Sequence, residues 1–302
     1  MRRGVLVATT DLALADGRTL RVHDSGGAAG LTMLWHHGSP QTGALLEPLL
    51  TAAARCGIRL VSCARPAYGE SSPKPGRDVA SVAADVAAAA DALGIARFAA
   101  MGASGGGPHA LACAARLPGR VVAVVTLAGI APFDAAGLDW FAGMAPAGAA
   151  ALRAAQRGRA ARLAFEATAE FDPAIFTARD WAALETDWAD LGADAGTAAR
   201  AGPDGLVDDD VAFVSPWEFP LAAVTVPVLV VQGDEDRVVP EAHGRWLAAR
   251  LPRAEFRLRP GDGHVSVLAA VPDALDWLLS HVRATDPGPR RTAGSPPTRR
   301  AS

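Results

Sequence analysis

The sequence predicts an α/β fold, a mostly parallel doubly wound sheet with a helical segment inserted after its sixth strand. Two features of the 302 residues lead there. Short apolar runs alternate with helical segments over residues 31–127 and again from residue 226 onward, a pattern that requires right-handed crossovers and helices on both faces of the sheet. Over residues 133–215 the alternation stops and only helical pieces remain. The expected organisation is a core of residues 1–132 and 216–284, a helical cap of residues 133–215 and a disordered basic tail of residues 285–302.

In order, the chain opens with two β-leaning runs, 5–13 and 18–23, separated by Ala15-Asp-Gly17. Asp-Gly commonly closes hairpins, so an antiparallel edge is expected. The run 31–35 is continuously apolar, as in strands covered on both faces. A helix over 43–55, a strand at 58–62, a helix over 79–93 and a strand at 97–101 follow. That last strand leads through glycines into a helix over 108–117, and 121–127 is the sixth strand. Within the insertion the clearest helix is 178–191, where Trp181, Leu184, Trp188 and Leu191 share one face and Thr177 with Asp180 makes a capping-box signature. Gly202-Pro-Asp-Gly205 and Pro216 punctuate its end; a strand at 226–232, a helix over 241–251, a strand at 255–258 and a helix opened by Pro272 complete the core.

Composition excludes several classes of function. The formal net charge of −3 gives no polyanion a partner, so nucleic acid is not expected. Hydrophobic residues make up 50% of the chain, but much of that is alanine, and no run approaches the roughly 18 apolar residues of a membrane span. The N-terminus lacks the apolar segment of a signal peptide, which makes a cytoplasmic protein the expectation. Cys56, Cys63 and Cys113 show no paired spacing and read as buried, reduced thiols. The seven histidines show no H-E-x-x-H spacing, and neither a metal nor another cofactor is expected. The four late arginines read as part of a solvated tail.

The chemistry gathers around Gly102-Ala-Ser104-Gly-Gly106, a G-x-S-x-G pattern between a strand and a helix. Glycines two residues either side of a serine allow a turn tight enough to leave the hydroxyl exposed at its apex. Pro108 suits the first turn of the following helix, whose positive end points back at the serine. A plain tight turn or a phosphate loop would share these glycines, and Gly105-Gly-Gly107-Pro-His-Ala110 satisfies the relaxed dinucleotide pattern G-x-G-x-x-A. That pattern needs an acid about 20 residues later for the ribose, where this chain is apolar from Val125 to Ile130. The dinucleotide reading therefore falls behind.

Three further strand ends carry suggestive residues: His37-Gly-Ser39-Pro40, Gly233-Asp-Glu-Asp236 and Gly261-Asp-Gly-His264. With Ser104 they give the chain order serine, acid, histidine. On these motifs, over nearly everything except the tail, the chain resembles the α/β-hydrolases that bear a helical cap. The resemblance implies that Ser104 is a nucleophile, that His264 on its glycine-flanked loop is the base, and that the acid three residues after Gly233, Asp236, orients the base. Asp234 and, after the preceding strand, Asp134 are alternative acids, while Asp262 reads as a turn carboxylate. The backbone N–H groups of Ser39 and Gly105 would form an oxyanion hole. Among the competing histidines His36, His37, His109 and His243, the resemblance makes His37 structural, and His109 reads as a packing residue.

The insertion is rich in aromatic residues, and Trp140, Phe141, Met144, Trp181 and Trp188 are the candidates for a hydrophobic substrate pocket. Asp187, Asp190 and Asp194 would receive a substrate ammonium if the chain were similar to the proline iminopeptidases; a solvated helix face is the plainer reading. The expected activity is hydrolysis of a carboxylic ester or lactone bearing a hydrophobic group, a small-molecule substrate. An aminopeptidase, or a ligand receptor that keeps the pocket without turnover, is the alternative.

Overall fold

The computed structural model describes residues 6–27 and 30–285, so Val5 of the run 5–13 and nearly all of the expected tail lie outside the described residues. Eight strands form one sheet: β1 (Ala8–Ala13), β2 (Thr19–Asp24), β3 (Thr32–His36), β4 (Arg59–Cys63), β5 (Phe98–Ala103), β6 (Val121–Leu127), β7 (Val228–Gly233) and β8 (Ala254–Arg259). Their order is β1-β2-β4-β3-β5-β6-β7-β8. The first two strands pair antiparallel with their neighbours and the rest run parallel. The hairpin at Gly17, whose φ is 84°, makes the antiparallel edge.

The helices are α1 (Glu47–Arg55), α2 (Val82–Ala92), α3 (Gly106–Arg116), α4 (Pro146–Gln156), α5 (Arg159–Glu166), α6 (Ala178–Glu185), α7 (Ala189–Ala201), α8 (Asp204–Phe213), α9 (Glu241–Arg250) and α10 (Val271–Thr285). Side chains alternate along each parallel strand and feed two cores, one on each face of the sheet. Leu34, Ala100, Val124 and Val230 pack with Val86 of α2, Leu111 of α3 and Leu247 of α9. Met33, Met101, Val125 and Leu229 pack with Leu49 of α1 and Leu275 of α10. Both faces being covered explains why β5, β6 and β7 are buried along their whole length and read as continuous apolar runs.

Between β6 and β7 the described chain forms only helical elements, α4 to α8 and two short 3-10 turns, Pro173–Ile175 and Leu221–Ala223. Two expected elements differ. The helix expected over 178–191 is broken into α6 and α7 because the chain turns at Thr186, where φ is −126° and ψ −104°, so that Trp188 can tuck inward at 5% exposure with its N–H on the Ala183 carbonyl. The helix expected from residue 43 starts at Glu47 instead. Gly43 sits at φ 89° against Ala64, and Thr42 is held by Asp194 of α7, so this stretch is spent on contacts rather than a helical turn.

Parallel pairing aligns the strand ends that matter. His36 is in register with Gly102, Gly102 with Thr126, Leu127 with Val231, and Gly233 with Arg259. The loops leaving β3, β5, β7 and β8 therefore converge at the carboxyl end of the sheet, where ligand sites of open α/β sheets form.

Candidate active site

Ser104 stands at the turn between β5 and α3 with φ 53°, a left-handed conformation that non-glycine residues adopt only under constraint. The constraint is visible on both sides. Its N–H donates to the Leu127 carbonyl at 2.8 Å and its carbonyl accepts from Gly107 N–H at 2.9 Å. A β-carbon on Gly106 would collide with the His36 carbonyl oxygen, and one on Gly102 with the Gly106 carbonyl. Both glycines of G-x-S-x-G are thus needed for close backbone approach.

The Ser104 hydroxyl lies 2.9 Å from His264 Nε2, and His264 Nδ1 lies 2.8 Å from Asp236 Oδ2. With the Nδ1 proton donated to the carboxylate, Nε2 is left to accept from the serine. Asp236 is held in place by the N–H groups of Val238 and Val239, each 2.8 Å from Oδ1, and by Gln232 Nε2 at 3.1 Å from Oδ2. Burial pulls the His264 pKa down, but the charge and hydrogen bond of Asp236, with Asp180 beyond, outweigh it and raise the pKa above 6.5. A hydroxyl, an imidazole and a buried carboxylate in this geometry can pass a proton from serine to histidine while the acid stabilises the resulting cation.

The other candidate acids point elsewhere. Asp234 is exposed and accepts from Gly261 N–H at 2.7 Å, Asp134 is exposed, and Asp262 pairs with Arg259 at 3.0 Å and Arg179 at 3.1 Å. The competing histidines are buried and neutral. Burial drives the pKa values of His36 and His37 well below 6.5 and those of His109 and His243 to about 4. His37 accepts from Arg65 N–H at 3.0 Å, and His243 accepts from Ala131 N–H at 3.2 Å while donating to the Trp140 carbonyl at 2.9 Å.

Ser39 and Gly105 meet beside Ser104. A β-carbon on Gly105 would lie 2.7 Å from Ser39 Oγ, and one on Gly38 would lie 3.7 Å from Ser104 Cβ. Neither the Ser39 nor the Gly105 N–H is taken up by a backbone hydrogen bond among the described residues. Beneath this loop lies a buried ionic cluster that the sequence reading did not find. Asp209 of α8 is fully buried and accepts from Arg65, Tyr68 and Ser39 Oγ, while Arg77 pairs with its other oxygen. Burial alone would raise the Asp209 pKa, but Arg65 and Arg77 hold it well below 3.8. Arg65 also donates to the carbonyls of His37 and Gly38, turning them down into the cluster. The only hint in the sequence was an unexplained acidic run, Asp208 to Asp210.

A cavity of about 170 Å³ opens over Ser104 and His264. Its walls are mostly apolar and include Trp35, Phe176, Leu184, Trp188, Leu191 and Leu268. Of the five residues expected to line a pocket, Trp188 does so and four do not. Trp140, Phe141 and Met144 belong to the core on the opposite sheet face, where Trp140 donates to the Ala131 carbonyl at 2.9 Å and rests edge-on against His243. Trp181 is turned onto Phe171 and Phe176 and donates to the Pro173 carbonyl at 3.2 Å. Phe176, not singled out from sequence, faces the cavity instead. Asp187 and Asp190 line a separate outer depression, and Asp194 is held by Thr42 at 3.0 Å.

Among the described residues, no group of three or more His, Cys, Asp or Glu is placed to hold a metal ion. No described helix is long and apolar enough to cross a membrane.

Residues 32–270 match the family described as the alpha/beta hydrolase fold. A thermophilic esterase from Thermogutta terrifontis superposes with a TM-score of 0.68 at 22% identity, over 91% of this chain and 99% of its own. A bromoperoxidase from Bacillus anthracis gives 0.68 at 25% identity, over 92% and 100%. An enol-lactonase from Burkholderia xenovorans gives 0.65 at 21% identity, over 90% and 99%. Sheet order, elbow and family match agree: this chain belongs to the α/β hydrolase fold family.

Proposed function

We propose that the chain is a serine hydrolase that cleaves a carboxylic ester or lactone with a hydrophobic group through an acyl-enzyme. The observation that supports this most is the unbroken hydrogen-bonded series from Ser104 through His264 to Asp236 at the mouth of an apolar cavity. In this reading Ser104 Oγ attacks the carbonyl carbon as His264 Nε2 takes its proton. The N–H groups of Ser39 and Gly105 receive the oxyanion, and His264 returns the proton to the departing alkoxide. Water then repeats the sequence on the acyl group. Helices α4 to α8 act as the cap, of which α6, α7 and Phe176 wall the cavity.

The cavity is smaller than the roughly 300–1,000 Å³ typical of sites for drug-sized ligands, which favours a short acyl group or a small ring. Among the described residues none that lines it is acidic, so an aminoacyl substrate would meet no carboxylate in that wall. A panel of chromogenic esters from acetyl to dodecanoyl, small lactones and aminoacyl anilides tests the reading. Turnover of short esters or lactones is expected. Turnover of aminoacyl anilides alone would contradict it, and a compound that stabilises the protein yet is recovered unchanged, with no turnover across the panel, would point to a receptor.

Trp188 and Leu268 are the residues shared between the cavity and an outer depression of about 530 Å³. Trp188→Ala is therefore expected to join the two spaces and move the preferred acyl length upward by several carbons. An unchanged chain-length profile in the folded variant would show that Trp188 does not set the limit.

The base must be neutral to accept the serine proton, and its pKa is raised. The acid limb of kcat/KM is accordingly expected above pH 6.5, with activity present above the His264 pKa and lost as pH falls through it. A limb well below that pH would mean that another group titrates.

A further inference from the structure

Asp180 lies on α6, in the insertion, 84 residues before His264, yet its carboxylate is spent on the histidine loop. Oδ1 accepts from the N–H groups of Val265 and Ser266, each at 2.8 Å, and from Ser266 Oγ at 2.9 Å. Oδ2 accepts from His264 N–H at 3.2 Å and from the N–H and hydroxyl of Thr177, each at 3.0 Å. The sequence shows only the last part of this, the capping box at the start of α6. Asp180 is 1% exposed, and a β-carbon on Gly263 would run into its carboxylate, so the loop has no slack toward it.

A carboxylate with both oxygens saturated by six donors fixes what it touches. Three of those donors are successive backbone N–H groups that open a 3-10 turn at Ser266 and carry no other partner among the described residues. Without the carboxylate they would be buried and unsatisfied, which the loop would relieve by moving. His264 sits at the first of them, with Ser104 on one ring nitrogen and Asp236 on the other.

We propose that Asp180 is a positioning residue for His264, gripping residues 264–266 from the insertion so that docking of α6 onto the core is a condition for a correctly placed base. The inference rests on the reading of His264 as the base. It makes the cap and the base one mechanical unit: lifting α6 to admit a substrate withdraws the anchor of the histidine, and closing it restores the alignment with Ser104. The charged groups around His264 are Asp236 from the loop after β7, Asp180 and Arg179 from α6, Arg259 at the end of β8 and Asp262 on its own loop. The last is paired with Arg259 and Arg179. Asp236, bonded to the ring, and Asp180, bonded to the loop's backbone N–H groups, are the carboxylates whose charge favours the charged form of the imidazole.

The experiment is Asp180→Asn in the full chain, with the His264 imidazole titrated by NMR and kcat and KM measured across pH on a short chromogenic ester. The expected result is a folded protein whose His264 pKa is lower than in the wild type. The acid limb of kcat/KM should move down with it, and kcat at the plateau should be reduced by about 10²-fold, the cost of a roughly 1 Å misplacement, while KM changes little. A loss of thermal stability alone would leave the pH limb in place. An unshifted His264 pKa together with a plateau kcat within about twofold of wild type overturns the proposal. Should Asp180→Asn not fold, Ser266→Ala removes one arm of the grip; kcat about tenfold lower at constant KM supports the proposal, and unchanged kcat overturns it. The titration needs no turnover. A wild type without esterase activity would therefore count against the proposed function, while the His264 shift would still decide the role of Asp180.

Discussion

Asp236→Asn is expected to lower kcat by on the order of 10⁴, with KM nearly unchanged, because of how the site would orient the new amide. The N–H groups of Val238 and Val239 both donate to Oδ1, each at 2.8 Å, and will hold the amide carbonyl there. The NH₂ group then falls where Oδ2 was, facing His264 Nδ1 and the Gln232 side-chain amide, which is itself a donor. An NH₂ in that place donates to Nδ1 and moves the ring proton to Nε2, where it can no longer accept from Ser104. The loss corresponds to about 5.5 kcal/mol of transition-state stabilisation. Adding His264→Ala should cost little more, since the three groups act as a unit. Asp234→Asn, at an exposed carboxylate whose hydrogen-bond partner among the described residues is Gly261 N–H, should cost no more than about tenfold. The reverse ranking of the two asparagine variants in folded protein would place the acid two residues earlier.

Asp209→Ala is the largest expected loss of stability. Asp209 is fully buried between Arg65 and Arg77, which are 2% and 6% exposed, and its removal leaves two guanidinium groups in the core with no carboxylate. Breaking a buried pair by removing one partner typically costs about 3–5 kcal/mol, a fall in Tm on the order of 10 °C for a chain of this size. Activity should fall as well, because Ser39 Oγ bonds to Asp209 and Arg65 holds the carbonyls before it. A calorimetric Tm within about 2 °C of wild type would mean that solvent reaches the arginines and that the cluster contributes little.

The sheet and the convergence of its loops were legible because their signals are local. A continuous apolar run of five to seven residues marks a strand buried on both faces, and Gly102 and Gly106 mark a backbone with no room for a side chain. Which insertion aromatics face the cavity was not legible. Trp140 and Trp188 look alike in sequence, and only the turn at Thr186 sends Trp188 toward Ser104 while Trp140 is held by the Ala131 carbonyl on the other side of the sheet. The carboxylates that tie the insertion to the core were hidden for a related reason. Asp180, Asp194 and Asp209 find their partners 86, 152 and 170 residues away, at Ser266, Thr42 and Ser39. Helical spacing presents each of them as an ordinary polar position. The capping box at Thr177 and Asp180 was readable because both halves lie within one turn.

The central claim is that Ser104 is a nucleophile activated by His264, and covalent labelling tests it most directly. Wild-type protein is incubated with a fluorophosphonate at pH 8, and the adduct is mapped by peptide mass spectrometry. One phosphonyl group per chain on Ser104 is the predicted result, with labelling abolished in Ser104→Ala and slowed by orders of magnitude in His264→Ala. A folded wild-type protein that remains unlabelled while a known serine esterase reacts fully, or that is labelled at a different residue, would contradict it.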